Sequence, residues 1–133
     1  MTKQEKADWL TGNDLDDAGY QPKPESAIRL HNSKETTKHL VMKSLVVMML
    51  QRKGRRWDTE VKCPNGRVDV LDFGPPDGGA LVYEIETSPT PSVGKEKAEK
   101  YAIGPVRDVI VLDAAEAPNE LPQLAAWIEQ RVV

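Results

Sequence analysis

The chain has 133 residues, one cysteine, a net charge of −3 and 29% charged residues. That length suits one domain around a single core, and the lone Cys63 excludes an intramolecular disulfide and a thiolate metal cluster. The longest apolar run, Leu45 to Leu50, is far short of a bilayer span and MTKQEKADWL lacks a signal-peptide pattern, so a soluble, cytoplasmic protein with no membrane partner is expected.

Residues 1 to 30 are polar and turn-rich, with Trp9, Leu10, Leu15 and Tyr20 as the only anchors, and read as a loosely ordered arm or a short accessory helix. From 31 onward the pattern is that of one folded unit. Ser33 can cap a helix over about 34 to 53, whose apolar positions 41, 45, 48 and 49 keep helical spacing and whose end falls at Gly54. A strand follows over about 56 to 63, a hairpin turn at Pro64-Asn65-Gly66, and a second strand over about 67 to 73. GPPDGG makes the next tight connection, ALVYEIET a third strand, and KEKAEKYAI a short helix ended by Pro105. VRDVIVLDA is rich in β-branched residues and reads as a buried fourth strand. Leu121, Leu124, Ile128 and Val132 then mark the inner face of a terminal helix.

Charge is unevenly distributed. Residues 31 to 66 carry 8 basic and 3 acidic groups, whereas residues 67 to 133 carry 6 and 12. The basic block includes Lys34, Lys38, Lys43, Arg52, Lys53, Arg55 and Arg56, with Arg67 just beyond it. It fits either a solvated helix face with a basic turn or a surface that contacts phosphates. Arg52 to Arg56 fall at the far end of the helix from Glu35, suited to a flanking duplex rather than to the reacting phosphate.

Three acids interrupt otherwise apolar strands. Alternation puts Val82, Glu84 and Glu86 on one face of the third strand and Leu81, Tyr83 and Ile85 on the other. If Phe73 and Ala80 face each other across GPPDGG, counting back in register sets Asp69 opposite Glu84, with β-carbons about 5 Å apart. Like charges so placed repel, and a divalent cation between them relieves that repulsion. Magnesium favours such oxygen ligands and bridges carboxylates to phosphate. Acids that simply line a solvated sheet edge are the plainer alternative.

The order of elements and these acids resemble the PD-(D/E)XK nuclease superfamily over residues 33 to 133. Its core is a helix, a three-stranded antiparallel meander, a helix, a strand and a helix, so the resemblance implies an α/β, restriction-endonuclease-like fold with a mixed sheet flanked by helices. It further implies that Asp69 in GRVDV and Glu84 in EIE bind Mg2+ or Mn2+, and that Glu35 is an outer ligand or orients metal-bound water. The motif lysine is replaced by Glu86, as in some restriction endonucleases of the superfamily. Lys95 or Lys97 on the following helix, or Lys38 one turn after Glu35, would then supply the positive charge, and Glu86 would accept a proton or hold a second metal. The implied activity is hydrolysis of DNA phosphodiesters, structure-directed as in archaeal Holliday-junction resolvases, by a homodimer. The alternative is an inactive module of the same fold that binds nucleic acid or protein. No P-loop and no Gly-x-Ser-x-Gly elbow competes, and His31 and His39 lack a partner pattern; His39, one turn past Glu35, is placed to approach the site but reads first as a partly buried structural residue.

Overall fold

A computed structural model describes residues 1–32, 34–87 and 89–133. The elements in chain order are α1 (Lys3–Asp17), α2 (Thr37–Arg52), β1 (Trp57–Cys63), β2 (Gly66–Asp72), β3 (Ala80–Glu86), α3 (Val93–Tyr101), β4 (Val106–Asp113) and α4 (Leu121–Arg131). The fold is α/β, with a mixed four-stranded sheet in the order β1-β2-β3-β4 flanked by helices. β1, β2 and β3 form an antiparallel meander, and β4 lies parallel to β3. A parallel neighbour needs a crossover connection, and α3 supplies it.

Local chemistry sets the helix ends. At the start of α1, Thr2 and Glu5 form a reciprocal capping box. α2 starts at Thr37 rather than near 34, because the Thr36 hydroxyl accepts the His39 N–H and fixes the cap there. Glu35 therefore precedes the helix. The expected cap, Ser33, lies outside the described residues. At the other end Gly54 takes φ 70° and donates to the Gln51 carbonyl, the left-handed turn that glycine permits after a helix.

The sheet separates two apolar layers. On one face, Met42, Leu45, Val46 and Leu50 of α2 and Leu124 and Ile128 of α4 cover Val70, Leu81, Tyr83, Ile85 and Leu112. On the other, Leu15 of α1, Tyr20 and Tyr101 of α3 pack with Leu71, Phe73, Ala80, Val82 and Val109. Two expected core positions point outward: Met48 and Leu121 are exposed.

The first 30 residues take part in this packing. After α1, Tyr20 is wholly buried and its hydroxyl donates to the Tyr101 carbonyl. Residues 21 to 31 then run as a strap beside β1. Gln21 bridges to Lys62, the Lys23 and Ala27 N–H groups donate to Asp58, and the Arg29 N–H donates to Thr59 Oγ1. The Arg29 guanidinium also pairs with buried Asp58. No helix among the described residues is long and apolar enough to cross a membrane.

Candidate active site

The acids gather where the regular ladder gives way. β2 and β3 pair in register at Val70 with Tyr83, Leu71 with Val82 and Asp72 with Leu81, and continuing that register sets Asp69 against Glu84. At that level side chains take over from backbone pairing: the Asp69 N–H donates to Glu84 Oε2 (2.7 Å), and the Ile85 N–H donates to Asp69 Oδ2 (2.8 Å). Each carboxylate is thus fixed by the neighbouring strand's backbone. On β1 the same level holds Glu60, the residue between the pairs Thr59–Val70 and Val61–Val68. Among the described non-glycine residues, Glu60 alone has positive φ, at 50°. Alternation breaks with it, since Val70 belongs to the layer under α2 while Val61 and Val68 belong to the opposite one.

A second group descends from the start of α2. Glu35, His39 and Lys43 recur every four residues and so share one side of the helix and its approach. Lys43 has no solvent exposure, and its ammonium donates to Glu35 (2.9 and 3.2 Å), to Glu60 (3.3 Å) and to the Arg29 carbonyl. Glu35 also accepts the His31 N–H (3.1 Å). His39 bridges the two groups, with Nδ1 against Glu35 and Nε2 3.5 Å from Asp69 Oδ2. His31, from the strap, places Nδ1 2.7 Å from Glu60 Oε1.

The third component comes from α3. Lys97 Nζ lies 3.1 Å from Glu84 and 2.8 Å from Glu86. One ammonium thus joins the two glutamates of EIE. Lys95 is exposed. Lys97, Glu84, Glu86 and Asp69 line an open cleft of about 310 Å³ together with Arg67, His31, His39 and Tyr101. The other basic residues lie elsewhere. Lys38 donates to the Ala117 carbonyl and Asn119, and Arg55 pairs with buried Asp72 at 3.0 Å and also meets Val133. Arg56 lies 4.4 Å over the Phe73 ring, while Lys34, Arg52 and Lys53 are exposed. The 16 residues of α2 span roughly 24 Å, which keeps Arg52 to Arg56 remote from the cleft.

The electrostatics separate the two central acids. Burial, reinforced by the Asp69 charge, pushes Glu84 up to about 8. Burial also opposes ionisation of Asp69, but the nearby His39 ring and a hydrogen bond from the Ile85 N–H outweigh it and hold that carboxyl below its ordinary value. Asp69, and then Glu35, raise His39 above its ordinary value against the effect of burial, so the imidazolium facing two acids is favoured. Burial would lower Lys97, but Glu86 and Glu84 more than compensate and raise it. Glu86 is the nearer and more exposed partner, so a charged Lys97 does not require an ionised Glu84. Glu35 stays acidic despite burial because Lys43 and the His31 N–H stabilise its charge.

No protein-family model matches the chain, and no curated protein or solved structure matches it. The donor chemistry is therefore the test of a metal. Asp69 and Glu84 offer hard oxygen donors at one level of the sheet, and Glu86 opens to the same cleft. These residues fit a hard divalent cation.

Proposed function

We propose that the chain is a metal-dependent nuclease with a restriction-endonuclease-like core that hydrolyses DNA phosphodiester bonds. The observation that carries this reading is Lys97. The strand motif has Glu86 where the superfamily resembled by this sequence has lysine, and α3 brings an ammonium to the same two glutamates from the outside. Asp69 and Glu84 would hold Mg2+ or Mn2+, with Glu86 beside them. Such an ion, when bound, screens phosphate charge and acidifies a coordinated water.

The chain's own residues divide the remaining work. Lys97 stands by the cleft as the positive charge for the phosphoryl oxygens, and Glu86 Oε2 is the acceptor for the proton of the attacking water. His39 and the Ile85 N–H fix the orientation of Asp69, while Glu35 and Lys43 hold His39 and the α2 approach in place. Arg67 on the cleft wall contacts the adjacent phosphate. Arg52, Lys53 and Arg56 are the contacts for a flanking duplex, in a structure-directed enzyme that works as a homodimer through α4.

A second reading draws on the same ammonium. Lys97 closing on both glutamates also suits a module that keeps the fold, binds nucleic acid and no longer cuts. Cleavage of labelled single strand, duplex, flap and four-way junction, with magnesium, manganese or chelator, separates the two. Metal-dependent cutting that disappears in folded Asp69→Ala and Glu84→Ala is expected. Binding without cutting by the folded wild type would sink the enzyme and leave the module.

A further inference from the structure

Asp69 has a second set of neighbours that the proposed reaction does not use. One ring nitrogen of His31, one carboxylate oxygen of Glu60 and one of Asp69 all lie within 4.8 Å of one another. They come from three separate parts of the chain, namely the strap, β1 and β2, and Glu60 and Glu84 stand on the strands either side of β2. We propose that His31, Glu60 and Asp69 form a binding site for a divalent transition-metal ion such as Mn2+, which shares Asp69 with the oxygen-only pair Asp69 and Glu84.

The three ligands are held before any ion arrives. Glu60 is buried and fixed through Oε2 by the Lys43 ammonium, at 3.3 Å, while Oε1 faces His31 at 2.7 Å. Asp69 is fixed through Oδ2 by the Ile85 N–H. The His31 backbone is anchored by its N–H on Glu35 and, two residues earlier, by the Arg29 N–H on Thr59. Groups that orient a ligand through its other atom typically change metal affinity by about 10–100-fold when removed. Here Glu60 and Asp69 have such an anchor, and His31 is held through its backbone.

The donor set selects the ion. Magnesium requires near-octahedral oxygen coordination and keeps its waters, whereas imidazole nitrogen favours the borderline first-row metals. One nitrogen and two carboxylate oxygens therefore suit manganese and its neighbours better than magnesium. The oxygen-only pair on the Glu84 side lacks that preference. The side chain of His31 is 47% exposed, so an ion can enter from solvent without displacing the core.

The site stands whether or not the chain cleaves nucleic acid, and its test reads the metal directly. Mn2+ bound to the intact protein at neutral pH is followed by electron paramagnetic resonance, with detection of coupling to a ligand nitrogen. The wild type is expected to show nitrogen coupling that His31→Gln abolishes and Glu84→Gln retains, and His31→Gln should weaken Mn2+ binding at least about tenfold while leaving Mg2+ binding unchanged. Nitrogen coupling that survives His31→Gln and vanishes in His39→Gln would overturn the assignment. So would wild-type protein that binds Mn2+ with no nitrogen coupling, or that binds none. His31 is largely outside the core, and circular dichroism of each variant checks that folding is intact. Failure of the nuclease reading alone would leave the nitrogen coupling in place.

Discussion

Two lysines in this molecule each sit between two glutamates, and their surroundings give them opposite roles. Lys43 joins Glu35 and Glu60 with no exposure, its third donor taken by the Arg29 carbonyl. Lys97 joins Glu84 and Glu86 at the mouth of a cleft, with its side chain 21% exposed. Equal composition does not make equal devices. In the dry interior, removing one partner of an ion pair leaves a charge with no solvent to take it up. At the cleft, water or an incoming cation can replace the ammonium. The first triad fixes the geometry of α2, the strap and β1, whereas the second lies open to exchange with solvent.

The largest effect should follow from emptying the buried triad. Lys43→Met leaves Glu35 and Glu60 facing each other in the interior and should cost about 3–5 kcal/mol, read as a lower denaturant midpoint. Adding Glu35→Gln should recover part of the loss. Equal midpoints for wild type and Lys43→Met would remove the distinction drawn between the two lysines.

The same substitution at the cleft should act on chemistry rather than folding. Lys97→Met should change stability by less than about 1 kcal/mol, because the pair is partly solvated. Cleavage should fall by about 100-fold or more, as expected when a group that stabilises transition-state charge is lost. Magnesium should bind more tightly, since the competing ammonium is gone. Weaker magnesium binding in this variant would contradict exchange.

A smaller effect should appear in pH. Glu84 is raised from 4.5 to about 8, so between those values the folded state holds more protons than the unfolded chain. That contribution to stability is complete below about pH 4.5 and is lost as pH rises through about 8. His39 has the same sign: raised above 6.5, it stabilises fully below that value and less as pH passes its folded pKa. The metal-free protein should therefore melt at a lower temperature at about pH 8 than at about pH 6. His39→Gln should flatten part of that slope, and saturating magnesium should flatten the part due to Glu84. A metal-free melting temperature that rises over this range would exclude both assignments. Least of all should change in Lys95→Ala, where stability within about 0.5 kcal/mol and unchanged cleavage are expected for an exposed helix charge.

Much of the framework was legible because short connections fix register. GPPDGG is tight enough that counting back from Phe73 and Ala80 sets Asp69 against Glu84, and the observed pairs keep that register. The helix after β3 was legible from its breakers, and Lys97 falls one turn from where it begins at Val93. Glu60 was missed for a specific reason. An Asn-Gly turn suggests a loop centred on those two residues, but Cys63 pairs with Gly66, so Pro64 and Asn65 form the loop and Glu60 slides level with Asp69. Gly66, at φ 146°, opens β2 instead of sitting in the turn.

Lys43 and His39 were hidden differently. Their spacing from Glu35, eight and four residues respectively, was visible, but an apolar run around a lysine does not say which charge it meets. That partner, Glu60, is supplied by β1, and no local pattern joins it to α2. The strap was least legible of all. Its residues carry no alternation, and its bonds run to Asp58 and Thr59 about 30 positions away.

One contact made early in the chain also sets a timetable. α1 and Tyr20 precede the sheet in the chain, yet the Tyr20 hydroxyl meets the carbonyl of Tyr101, 81 residues later, and the strap has no surface to follow until β1 exists. Contacts of such long sequence separation form slowly, because the intervening chain must be ordered before they contribute. His31 reaches Glu60 only when the strap has settled. The cleft is therefore expected to be the last part of the molecule to mature, after the sheet is assembled, so refolding followed at the cleft should lag behind refolding followed at the core.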